Sequence, residues 1–399
     1  MEGSNDRKWY SLYDKVFAPK NLEAAWKRVK KNRGKPGWDR ESIDQFQANW
    51  QANLAELYRL LTEKRYTPPP VLRVNIPKEV DQKGRVVKTR PLGIPTVRDR
   101  IVQQAVVQVI GPIFEADFCD CNCGYRPGRN QHTAIAQIRW HYEEGYRWVV
   151  DADIQGFFDA LNHEMLMRFV RERVVDGSVL GLIQAWLKAG VMEDMKLKMV
   201  TTGSPQGGVI SPLLANIYLH QFDRVMTERG YRLVRYADDF VILCKLKRKA
   251  ERALEVAKQI LEGQLKLKVH PDKTRIVHFR EGFDFLGCRF RRRYIGPREK
   301  SLVKFKERVR QLTARQRGKN LKQVLRDLVP VIRGWGDYHA RYNVKTLFSR
   351  LDEWMRMRLR AFLEKKKAVR HQNRRIPTRW LEEQGFVSLT SRVPRLRTL

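Results

Sequence analysis

Apolar residues recur through the first three quarters of the chain with both helical and strand-like spacing, which predicts a mixed α/β structure. Between residues 21 and 66 the leucines have the spacing of one helix face, and the prolines of "YTPPP" end that helical segment. Two β-type runs then flank the polar stretch Asp81–Gly84, so we expect a hairpin there. A further helix is expected from Arg98 to Ile110.

The central part of the chain alternates between buried strands and helices. The run "RWVVDADIQGFF", residues 147–158, is typical of a buried strand followed by a turn. "GSPQGGVISPLLANIYLHQFDRVM" begins as a loop rich in Gly and Pro and continues as a helix from about Pro212. "LVRYADDFVIL", residues 233–243, indicates a strand, a turn and a second strand. We expect an amphipathic helix over residues 248–266 and another pair of strands over residues 283–290.

From about residue 291 the pattern becomes helical, with positive charges between the apolar positions. Leu302, Phe305, Val309 and Leu312 step by three and four residues and predict one buried helix face. A second stripe with the same period runs from Phe348 to Phe362. Positive side chains accompany these stripes and continue into the tail, and the candidate nucleic-acid contacts among them are Lys304, Arg308, Arg333, Arg356, Arg360, Arg374 and Arg375.

The large positive charge of the chain favours a protein that binds polyanions. Its 399 residues contain 79 Lys and Arg against 44 Asp and Glu, a formal net charge of +35, and residues 291–399 hold 31 of those cations against 9 acidic residues. A field of this size attracts polyanions, and an aromatic content of 10% fits a folded nucleic-acid binder better than a disordered basic tail. The competing interpretation is a soluble protein whose surface is merely basic.

Other features of the composition bear on the cellular setting. The chain has no run of about eighteen apolar residues, so we expect neither a transmembrane helix nor a membrane partner. Its beginning, "MEGSNDRKWY", lacks the apolar core of a signal peptide. Five cysteines, an odd number, argue against a disulfide framework. Together these features predict a reducing, cytoplasmic setting.

Two adjacent carboxylates, Asp238 and Asp239, lie between apolar runs and therefore need a counter-charge. Asp151 and Asp153 lie two residues apart, on one face of their predicted strand. If the two strands are neighbours, Asp153 can lie opposite Asp238. Three carboxylates at one sheet edge can hold two Mg²⁺ ions, which prefer carboxylate oxygens and serve phosphoryl transfer. For the Asp-Asp pair alone, the alternative is a polar hairpin turn.

The stretch "YADD" at Tyr236–Asp239 resembles the catalytic motif of reverse transcriptases, and further stretches match that family in the family's order. They are "RPLGIPTVRDRIVQQA" from Arg90, "GYRPGRNQHTA" from Gly124, "DADIQGFFD" from Asp151, "GSPQGGVISPLLANIYL" from Gly203, "HPDKT" from His270 and "FLG" from Phe285. "VIRGWGDYHARYN", from Val331, resembles the family's thumb, the maturase or X domain. Over roughly residues 20–395 the chain thus resembles bacterial group II intron-encoded reverse transcriptases, also called intron maturases.

The resemblance implies a fold and its division into domains. We expect an α/β right-hand polymerase, in which fingers and palm contain an antiparallel sheet backed by helices, followed by an all-α thumb. The expected parts are an N-terminal segment (1–20), fingers and palm (21–290), the thumb or maturase domain (291–363) and a short basic segment resembling a DNA-binding segment (364–399). A disordered solubilising tail is the alternative interpretation of the last part.

The resemblance also implies an activity and partners. The expected enzyme is an RNA-directed DNA polymerase that also binds intron RNA and assists splicing and mobility. Its partners would be template RNA, intron RNA, a DNA primer or target DNA, and deoxynucleoside triphosphates, in a bacterial cytoplasm and associated with RNA or the nucleoid. Two alternatives remain open. One is a non-catalytic RNA-binding splicing cofactor on a dead polymerase fold, and the other is a domesticated relative in DNA repair or phage defence.

By motif match, Asp153, Asp238 and Asp239 are the catalytic carboxylates and the ligands of two Mg²⁺ ions, which Mn²⁺ can replace. Asp151 is expected to support the strand. Lys78 and Arg90 resemble the residues that hold the incoming triphosphate, and their charges suit phosphate oxygens. A role of these two in the solubility of the hairpin is the alternative. The remaining nucleotide-binding candidates are Phe157, Gln206 and Lys273.

These three candidates have different implied roles. Phe157 resembles the aromatic gate under the sugar, which selects deoxynucleotides, and ordinary core packing is the alternative. Gln206 resembles the residue that contacts the nucleotide and the template base, and the adjacent Gly207 and Gly208 would let backbone approach a ligand closely. Lys273 is expected near the triphosphate.

The stretch "FCDCNCGYRPGRN" departs from the family, which usually has no cysteines there. Cys119, Cys121 and Cys123 are spaced Cys-x-Cys-x-Cys, whereas structural zinc sites generally have about two to four intervening residues. Only His132 is near enough in sequence to act as a fourth ligand. Small apolar filler residues are therefore the favoured interpretation, ahead of a metal site.

A second departure is the lack of an endonuclease pattern. Many relatives end in an endonuclease domain with paired cysteines and histidines. After residue 290 this chain has no cysteine and two histidines. We therefore expect the shorter class without that domain, whose members take a primer from elsewhere, such as a replication fork.

Overall fold

The structure is a computed structural model, which describes residues 7–80, 85–193, 196–198, 207–364 and 375–394. The chain divides into two compact units, Met1–Ile276 and Val277–Leu399. Each unit has its own hydrophobic core. Among the described residues, no helix is both long and apolar enough to cross a membrane.

The first unit alternates helices and strands in the way that the periodicity predicts. Its helices are α1 (Tyr13–Phe17), α2 (Pro19–Lys31), α3 (Ile43–Ala48), α4 (Trp50–Thr62), α5 (Val97–Glu115), α6 (Gln131–Glu143), α7 (Phe157–Ala160), α8 (His163–Arg171), α9 (Gly177–Lys188), α10 (Ser211–Glu228) and α11 (Lys247–Lys258). The strands up to the boundary are β1 (Val71–Val80), β2 (Val86–Ile94), β3 (Trp148–Asp153), β4 (Val191–Glu193), β5 (Lys196–Lys198), β6 (Arg232–Tyr236), β7 (Asp239–Cys244) and β8 (Arg275–His278).

A four-stranded sheet in the order β6-β7-β3-β8 lies within the core of this unit. Strands β3 and β6 both pair antiparallel with β7. The residues from Phe240 to Cys244 are all buried, as are Val149 and Val150, which explains why these strands are continuous apolar runs in the sequence. Helices α6, α10 and α11 pack against the sheet. The expected antiparallel sheet backed by helices is therefore confirmed.

A second sheet has the strand order β2-β1-β4-β5. Strands β1 and β2 pair antiparallel, with Ile76 opposite Arg90, so the predicted hairpin is confirmed. The residues between these strands, 81–84, lie outside the described part of the chain. The side chains of residues 85–90 are exposed, which shows that this part of β2 is not covered by the core. The cations of β2 consequently face solvent.

Helix α5 crosses the core of the first unit and contains a buried acid. It begins after Thr96, whose hydroxyl accepts a hydrogen bond from the backbone N–H of Asp99 at 3.1 Å. The carboxylate of Asp99 accepts hydrogen bonds from the Tyr66 hydroxyl and the Trp186 indole, both at 2.7 Å, and from the Gln103 amide at 2.8 Å. Burial outweighs these donors and raises the pKa of Asp99 to about 6.

The carboxylate of Asp176 caps two helices at once. Its Oδ1 accepts hydrogen bonds from the backbone N–H groups of Ser178 and Val179 at the start of α9. Its Oδ2 accepts hydrogen bonds from Leu12 and Tyr13 at the start of α1, at 2.8 and 2.9 Å. Burial opposes ionisation of this carboxyl, but the four backbone donors together lower its pKa. The first helix is thereby joined to the middle of the chain.

The second unit begins with a small antiparallel sheet and continues as helices. Strands β9 (Phe283–Phe285), β10 (Cys288–Arg291) and β11 (Tyr294–Pro297) form a sheet in the order β11-β10-β9. The helices are α12 (Glu299–Leu312), α13 (Leu321–His339), α14 (Lys345–Leu363) and α15 (Thr378–Glu383). The strand pair predicted over residues 283–290 is confirmed, and β11 extends it before the helices begin.

The apolar stripes predicted for this unit form its core. Phe305, Val309 and Leu312 of α12 are buried. The ring of Phe305 stacks on Trp335 of α13 with 4.3 Å between ring centroids, and Phe348 of α14 lies 5.7 Å from the same indole. These contacts hold the three longer helices together around one aromatic cluster.

Candidate active site

The predicted catalytic carboxylates meet at one end of the sheet β6-β7-β3-β8. Strand β3 ends at Asp153, β7 begins at Asp239, and the antiparallel register places these two residues opposite each other. Tyr236 of β6 also pairs with Asp239, so Ala237 and Asp238 form a two-residue hairpin turn. The expectation that Asp153 lies opposite Asp238 is therefore wrong by one residue, because the turn takes up Asp238.

The pKa values of Asp238 and Asp239 are both raised. Asp239 reaches solvent, yet the nearby protein removes enough water to raise its pKa, and the charges of Asp238, Asp153 and Asp151 add to that effect, giving a pKa of about 6. Burial first, and then the charge of Asp153, raises the pKa of Asp238 as well. Because the backbone register holds the group together, the repulsion can be relieved only by a proton or a cation.

Two cationic side chains contact this acidic group at its β8 side. The ammonium of Lys273 forms an ion pair with Asp153, and Nη2 of Arg275 lies 2.9 Å from a carboxylate oxygen of Asp151. The sequence motif predicts Lys273 here but not Arg275. Arg275 opens β8, the neighbour of β3, so only the strand order reveals its place. Asp151 thus binds Arg275 at the end of the sheet.

The donor set fits hard divalent cations by its chemistry. As the side chains stand, no group of three or more His, Cys, Asp or Glu in the described part of the chain is arranged to hold a metal ion. Three carboxylates on two paired strands and their turn are nevertheless the ligand type that Mg²⁺ prefers. The ammonium of Lys273 contacts Asp153 as a cation would. A divalent ion bound here would compete with that ammonium for the Asp153 carboxylate.

A buried ion pair supports the turn from behind. Arg235 and Asp223 are both 0% exposed, and Nε of Arg235 lies 2.7 Å from Oδ1 of Asp223. Nη1 of the same guanidinium donates a hydrogen bond of 2.8 Å to the carbonyl of Ala237, a residue with φ of +59°. Although Arg235 is close in sequence to Asp238 and Asp239, Asp223 neutralises it. It therefore does not supply the counter-charge of the catalytic pair.

The predicted triphosphate contacts are only partly visible in the structure. Arg90 is exposed on β2. Its positive charge lowers the pKa of Asp238, although burial and Asp153 raise that pKa by more. Arg90 therefore lies within electrostatic reach of the carboxylates. The side chain of Lys78 and the whole of Gln206 lie outside the described residues.

Gly207 allows a close backbone approach, as expected, but the approaching group belongs to the protein. Its φ is +120°, and a Cβ at this position would lie 2.4 Å from the carbonyl oxygen of Gly93. Any side chain here would therefore meet backbone of β2. The glycine brings the start of the loop–helix segment against the hairpin strand that carries Arg90.

Phe157 lies in the hydrophobic core of the first unit. Its side chain is 3% exposed and packs edge-on against Tyr218, at 6.5 Å between centroids, and against Phe158. These contacts agree with the alternative interpretation of Phe157, ordinary core packing, rather than with an aromatic gate under the sugar. Phe158 is half-buried, and it is the member of the pair that reaches solvent. Gly156, with φ of +56°, lets the chain turn between the end of β3 and these rings.

The cysteine-rich stretch lies beside β6. Asn122 forms a parallel β-bridge with Arg235, and the backbone hydrogen bonds from Cys123 to Arg235 and from Arg235 to Cys121 both measure 2.8 Å. Cys123 is buried, whereas Cys119 and Cys121 are half-buried, and all three are free thiols. The stretch therefore extends the sheet at its β6 edge, next to the catalytic turn.

The positively charged residues of the second unit differ in exposure. Those exposed are Lys304, Arg308, Arg333 and Arg375, and Arg356 is half-buried. The prediction for Arg360 is corrected: it is 4% exposed, its Nε donates to the carbonyl of Ile376 at 2.9 Å, and its Nη2 lies 3.3 Å from the Thr378 hydroxyl. Arg360 joins α14 to the segment before α15, so it is not available to nucleic acid. Arg374 lies outside the described residues.

Two family models match the chain. Residues 76–290 match the family described as "Reverse transcriptase (RNA-dependent DNA polymerase)". Residues 302–380 match the "Group II intron, maturase-specific domain". The first match alone covers more than half of the 399 residues.

Curated relatives agree with these matches. "Protein YkfC" of Escherichia coli (strain K12) is 36% identical over 296 residues, which cover 65% of this chain and 76% of that protein. "Group II intron-encoded protein LtrA" of Lactococcus lactis subsp. cremoris is 30% identical over 362 residues, with 74% of this chain covered. The chain spans 59% of the length of LtrA.

Among solved structures, a chain of a "Partial Cas6-RT-Cas1--Cas2 complex" is 26% identical, with a TM-score of 0.39, over 63% of this chain and 41% of that chain. The antiparallel sheet backed by helices, followed by a mainly helical unit, is the right-hand polymerase architecture that the sequence resemblance implies. Reverse transcriptases use divalent metal ions and bind RNA. The chain belongs to the reverse transcriptase (RNA-dependent DNA polymerase) family and carries, after its polymerase region, the maturase-specific domain of group II introns.

Proposed function

We propose that this protein is the RNA-directed DNA polymerase of a group II intron, which copies RNA into DNA and binds intron RNA to assist splicing and mobility. The two family matches support one activity each. The observation that carries the catalytic part is the register that places Asp153 opposite Asp239, with Asp238 in the adjoining turn. The substrates are template RNA, a DNA primer and deoxynucleoside triphosphates.

The three carboxylates are the proposed ligands of two Mg²⁺ ions, which Mn²⁺ can replace. Ions held there would help to activate the primer 3′-hydroxyl and would offset the charge on the departing pyrophosphate. The protein contributes by holding Asp153, Asp238 and Asp239 at one sheet end despite their mutual repulsion. Arg90 and Lys273 place positive charge beside them, where it suits triphosphate oxygens. Lys78 and Gln206 complete the proposed nucleotide site.

We assign the contact with the sugar of the incoming nucleotide to Phe158 rather than Phe157. Phe157 is buried against Tyr218, so its ring is not accessible to a ligand. Phe158 is half-buried and follows Asp153 by five residues, at the end of the same strand and turn. A ring at this place leaves no room for a 2′-hydroxyl and so selects deoxynucleotides.

The second unit is the proposed grip on duplex and intron RNA. Lys304 and Arg308 are exposed on α12, on faces that its apolar stripe leaves free. Arg333, Arg356 and Arg375 add further charge on or after the helices that follow. Contacts of this type with phosphates are independent of base sequence and weaken steeply with salt. The same surface serves any duplex or folded RNA backbone.

Primer extension on an RNA template with Mg²⁺ and deoxynucleotides tests the catalytic proposal. Asp238→Asn and Asp239→Asn keep the size of the side chain and remove the charge, so we expect extension to be lost. Asp14→Asn, on the exposed side of α1, is the matched control and should extend like the wild type. Circular dichroism of each variant checks the fold.

Each outcome of this experiment has a distinct meaning. Equal extension by Asp238→Asn would refute the assignment of the carboxylates. A folded wild type that binds RNA without extending a primer would favour the alternative of a non-catalytic splicing cofactor. Splicing of the parent intron RNA at low Mg²⁺, with and without the protein, tests the maturase part. Extension without any effect on splicing would favour a domesticated polymerase.

A further inference from the structure

Tyr125 exposes an aromatic ring beside the catalytic turn. Its side chain is 53% exposed, and its ring centroid lies 6.2 Å from that of Tyr236. Loss of water on the inner side of the ring, followed by the charge of Asp238, raises the pKa of the Tyr125 hydroxyl. This hydroxyl is therefore within electrostatic reach of the carboxylates.

The backbone of Tyr125 is held in an unusual conformation. Its φ is +57°, a region that residues other than glycine seldom adopt. On one side, Gly124 lies against the catalytic turn so closely that a Cβ there would be 2.3 Å from the backbone nitrogen of Ala237. The carbonyl of Gly124 also accepts a hydrogen bond of 2.8 Å from the amide of Asn216.

The other side of Tyr125 is fixed by Arg126. Nε of Arg126 lies 2.9 Å from a carboxylate oxygen of Glu115, and Nη1 donates hydrogen bonds to the carbonyls of Cys119 and Asn122 at 2.7 and 3.0 Å. Both neighbours of Tyr125 are thus fixed, and its ring is exposed between them. A strained residue that exposes a large aromatic side chain contributes little to the fold, so the ring is expected to act on a ligand.

The position of Tyr125 follows from the strand order β6-β7-β3-β8. Tyr236 ends β6, Asp239 begins β7, Asp153 ends β3, and Lys273 comes shortly before β8, so these residues lie in a row across one end of the sheet. Tyr125 joins this row beyond Tyr236. The row is therefore aromatic at one end, acidic in the middle and cationic at the other end.

We infer that Tyr125 binds the primer–template duplex next to the 3′-hydroxyl, packing its ring on the terminal base pair. The inference rests on the proposed function, because it takes the acidic middle of the row as the place of reaction. Lys273 at the cationic end suits the anionic triphosphate, as does Arg90, whose charge reaches both Asp238 and the Tyr125 hydroxyl. The exposed face of the Tyr125 ring suits a base pair rather than a phosphate, which assigns the ring to the duplex. Aromatic rings bind nucleotides with little regard to sequence, as a polymerase requires.

Binding of a labelled RNA template–DNA primer duplex to the full chain, without nucleotides and at several salt concentrations, tests this inference. Loss of one aromatic stacking contact weakens binding about 5- to 150-fold, so Tyr125→Ala should raise the Kd by a factor in this range. The factor should be the same at every salt concentration, because no charge is removed. Tyr125→Phe keeps the ring and should bind like the wild type.

Two further variants separate the ring from its surroundings. Tyr10→Ala removes another exposed tyrosine, 72% accessible, and should leave the Kd unchanged. Tyr125→Gly removes the ring and relieves the positive φ, so it should bind as weakly as Tyr125→Ala. Wild-type affinity of Tyr125→Gly would show that backbone strain in Tyr125→Ala, rather than the ring, explains the loss, and would overturn the inference.

The KM for deoxynucleotides at saturating duplex completes the test. We expect it to be unchanged in Tyr125→Ala. A raised KM with a normal duplex Kd would assign the ring to the nucleotide and overturn the inference, as would unchanged values of both. The Kd comparison does not need activity, so a wild type that binds duplex without extending it contradicts the proposed function alone.

Discussion

The buried ion pair of Arg235 and Asp223 makes a strong prediction about the support of the catalytic turn. In Asp223→Ala the guanidinium of Arg235 stays fully buried, with Oδ1 of Asn216, 3.3 Å from its Nη1, and the carbonyl of Ala237 as acceptors. A buried charge that loses its partner costs about 3–5 kcal/mol of folding free energy. We therefore expect Asp223→Ala to destabilise the first unit by that amount.

Hydrogen exchange of the backbone amides in β6 and β7 is the appropriate assay, because two units can unfold separately and blur a global transition. A loss of 3–5 kcal/mol corresponds to exchange that is roughly 160- to 5,000-fold faster. Glu23→Ala removes the partner of Lys27 in a solvent-exposed pair and is the matched control. Exposed pairs contribute about 0.2–1 kcal/mol, so exchange should barely change.

The double variant Asp223→Leu/Arg235→Met separates stability from the support of the turn. Replacing both charges by apolar side chains leaves no uncompensated charge, so most of the stability should return. The variant still lacks the hydrogen bond from Arg235 to the carbonyl of Ala237, and primer extension should therefore remain below the wild-type rate. If Asp223→Ala resembles the exposed control, or the double variant is as unstable as the single one, the reasoning is refuted.

Three further predictions concern other sites. The pKa of Asp99 is about 6 in the folded protein and near 3.9 in the unfolded chain. Folding therefore favours the protonated carboxyl: its stabilising effect, about 3 kcal/mol, is complete below pH 3.9 and is lost as the pH rises through 6. Asp99→Asn should therefore flatten the unfolding free energy between about pH 4 and 7, and an equally steep pH profile would contradict this. Phe158→Ala should increase ribonucleotide incorporation, whereas Phe157→Ala should chiefly lower stability, by about 3–5 kcal/mol; the reverse pattern would restore Phe157 as the gate. Replacing Lys304 and Arg308 with Gln removes two phosphate contacts, so the slope of the logarithm of the duplex binding constant against the logarithm of the salt concentration should become shallower by about 1.8. An unchanged slope would exclude both residues from the nucleic-acid interface.

Local signals made part of this fold predictable. The stripe of α12 and the strands on either side of Ala237–Asp238 are visible as short periodic patterns, and the structure contains both. The partner of Asp153 was not predictable to the residue. Antiparallel register depends on how many residues the turn takes, and a shift of one changes every partner along the strand. The number of residues in the turn cannot be read from the sequence alone.

Other parts depend on segments that are distant in sequence. Arg360 and Arg356 occupy similar positions along α14, and only the chain near Ile376 buries one of them. The choice between Phe157 and Phe158 depends on which side of α7 meets the core, and a helix of four residues is too short to show a periodic pattern. Tyr125 lies in the family-like stretch that begins at Gly124, but that match implied no role for its ring, and the exposure of the ring follows from the packing of its neighbours.

The double cap at Asp176 affects how the chain folds while it is being synthesised. Helix α1 leaves the ribosome before its capping carboxylate, because the carboxylate that accepts the hydrogen bond of Leu12 follows 164 residues later. At about 5–20 residues per second, translation of that interval takes about 8 to 33 s. A helix of five residues is not stable by itself. Helix α1 therefore acquires this cap only after the chain has been synthesised beyond Asp176, and a nascent chain halted before that point lacks it.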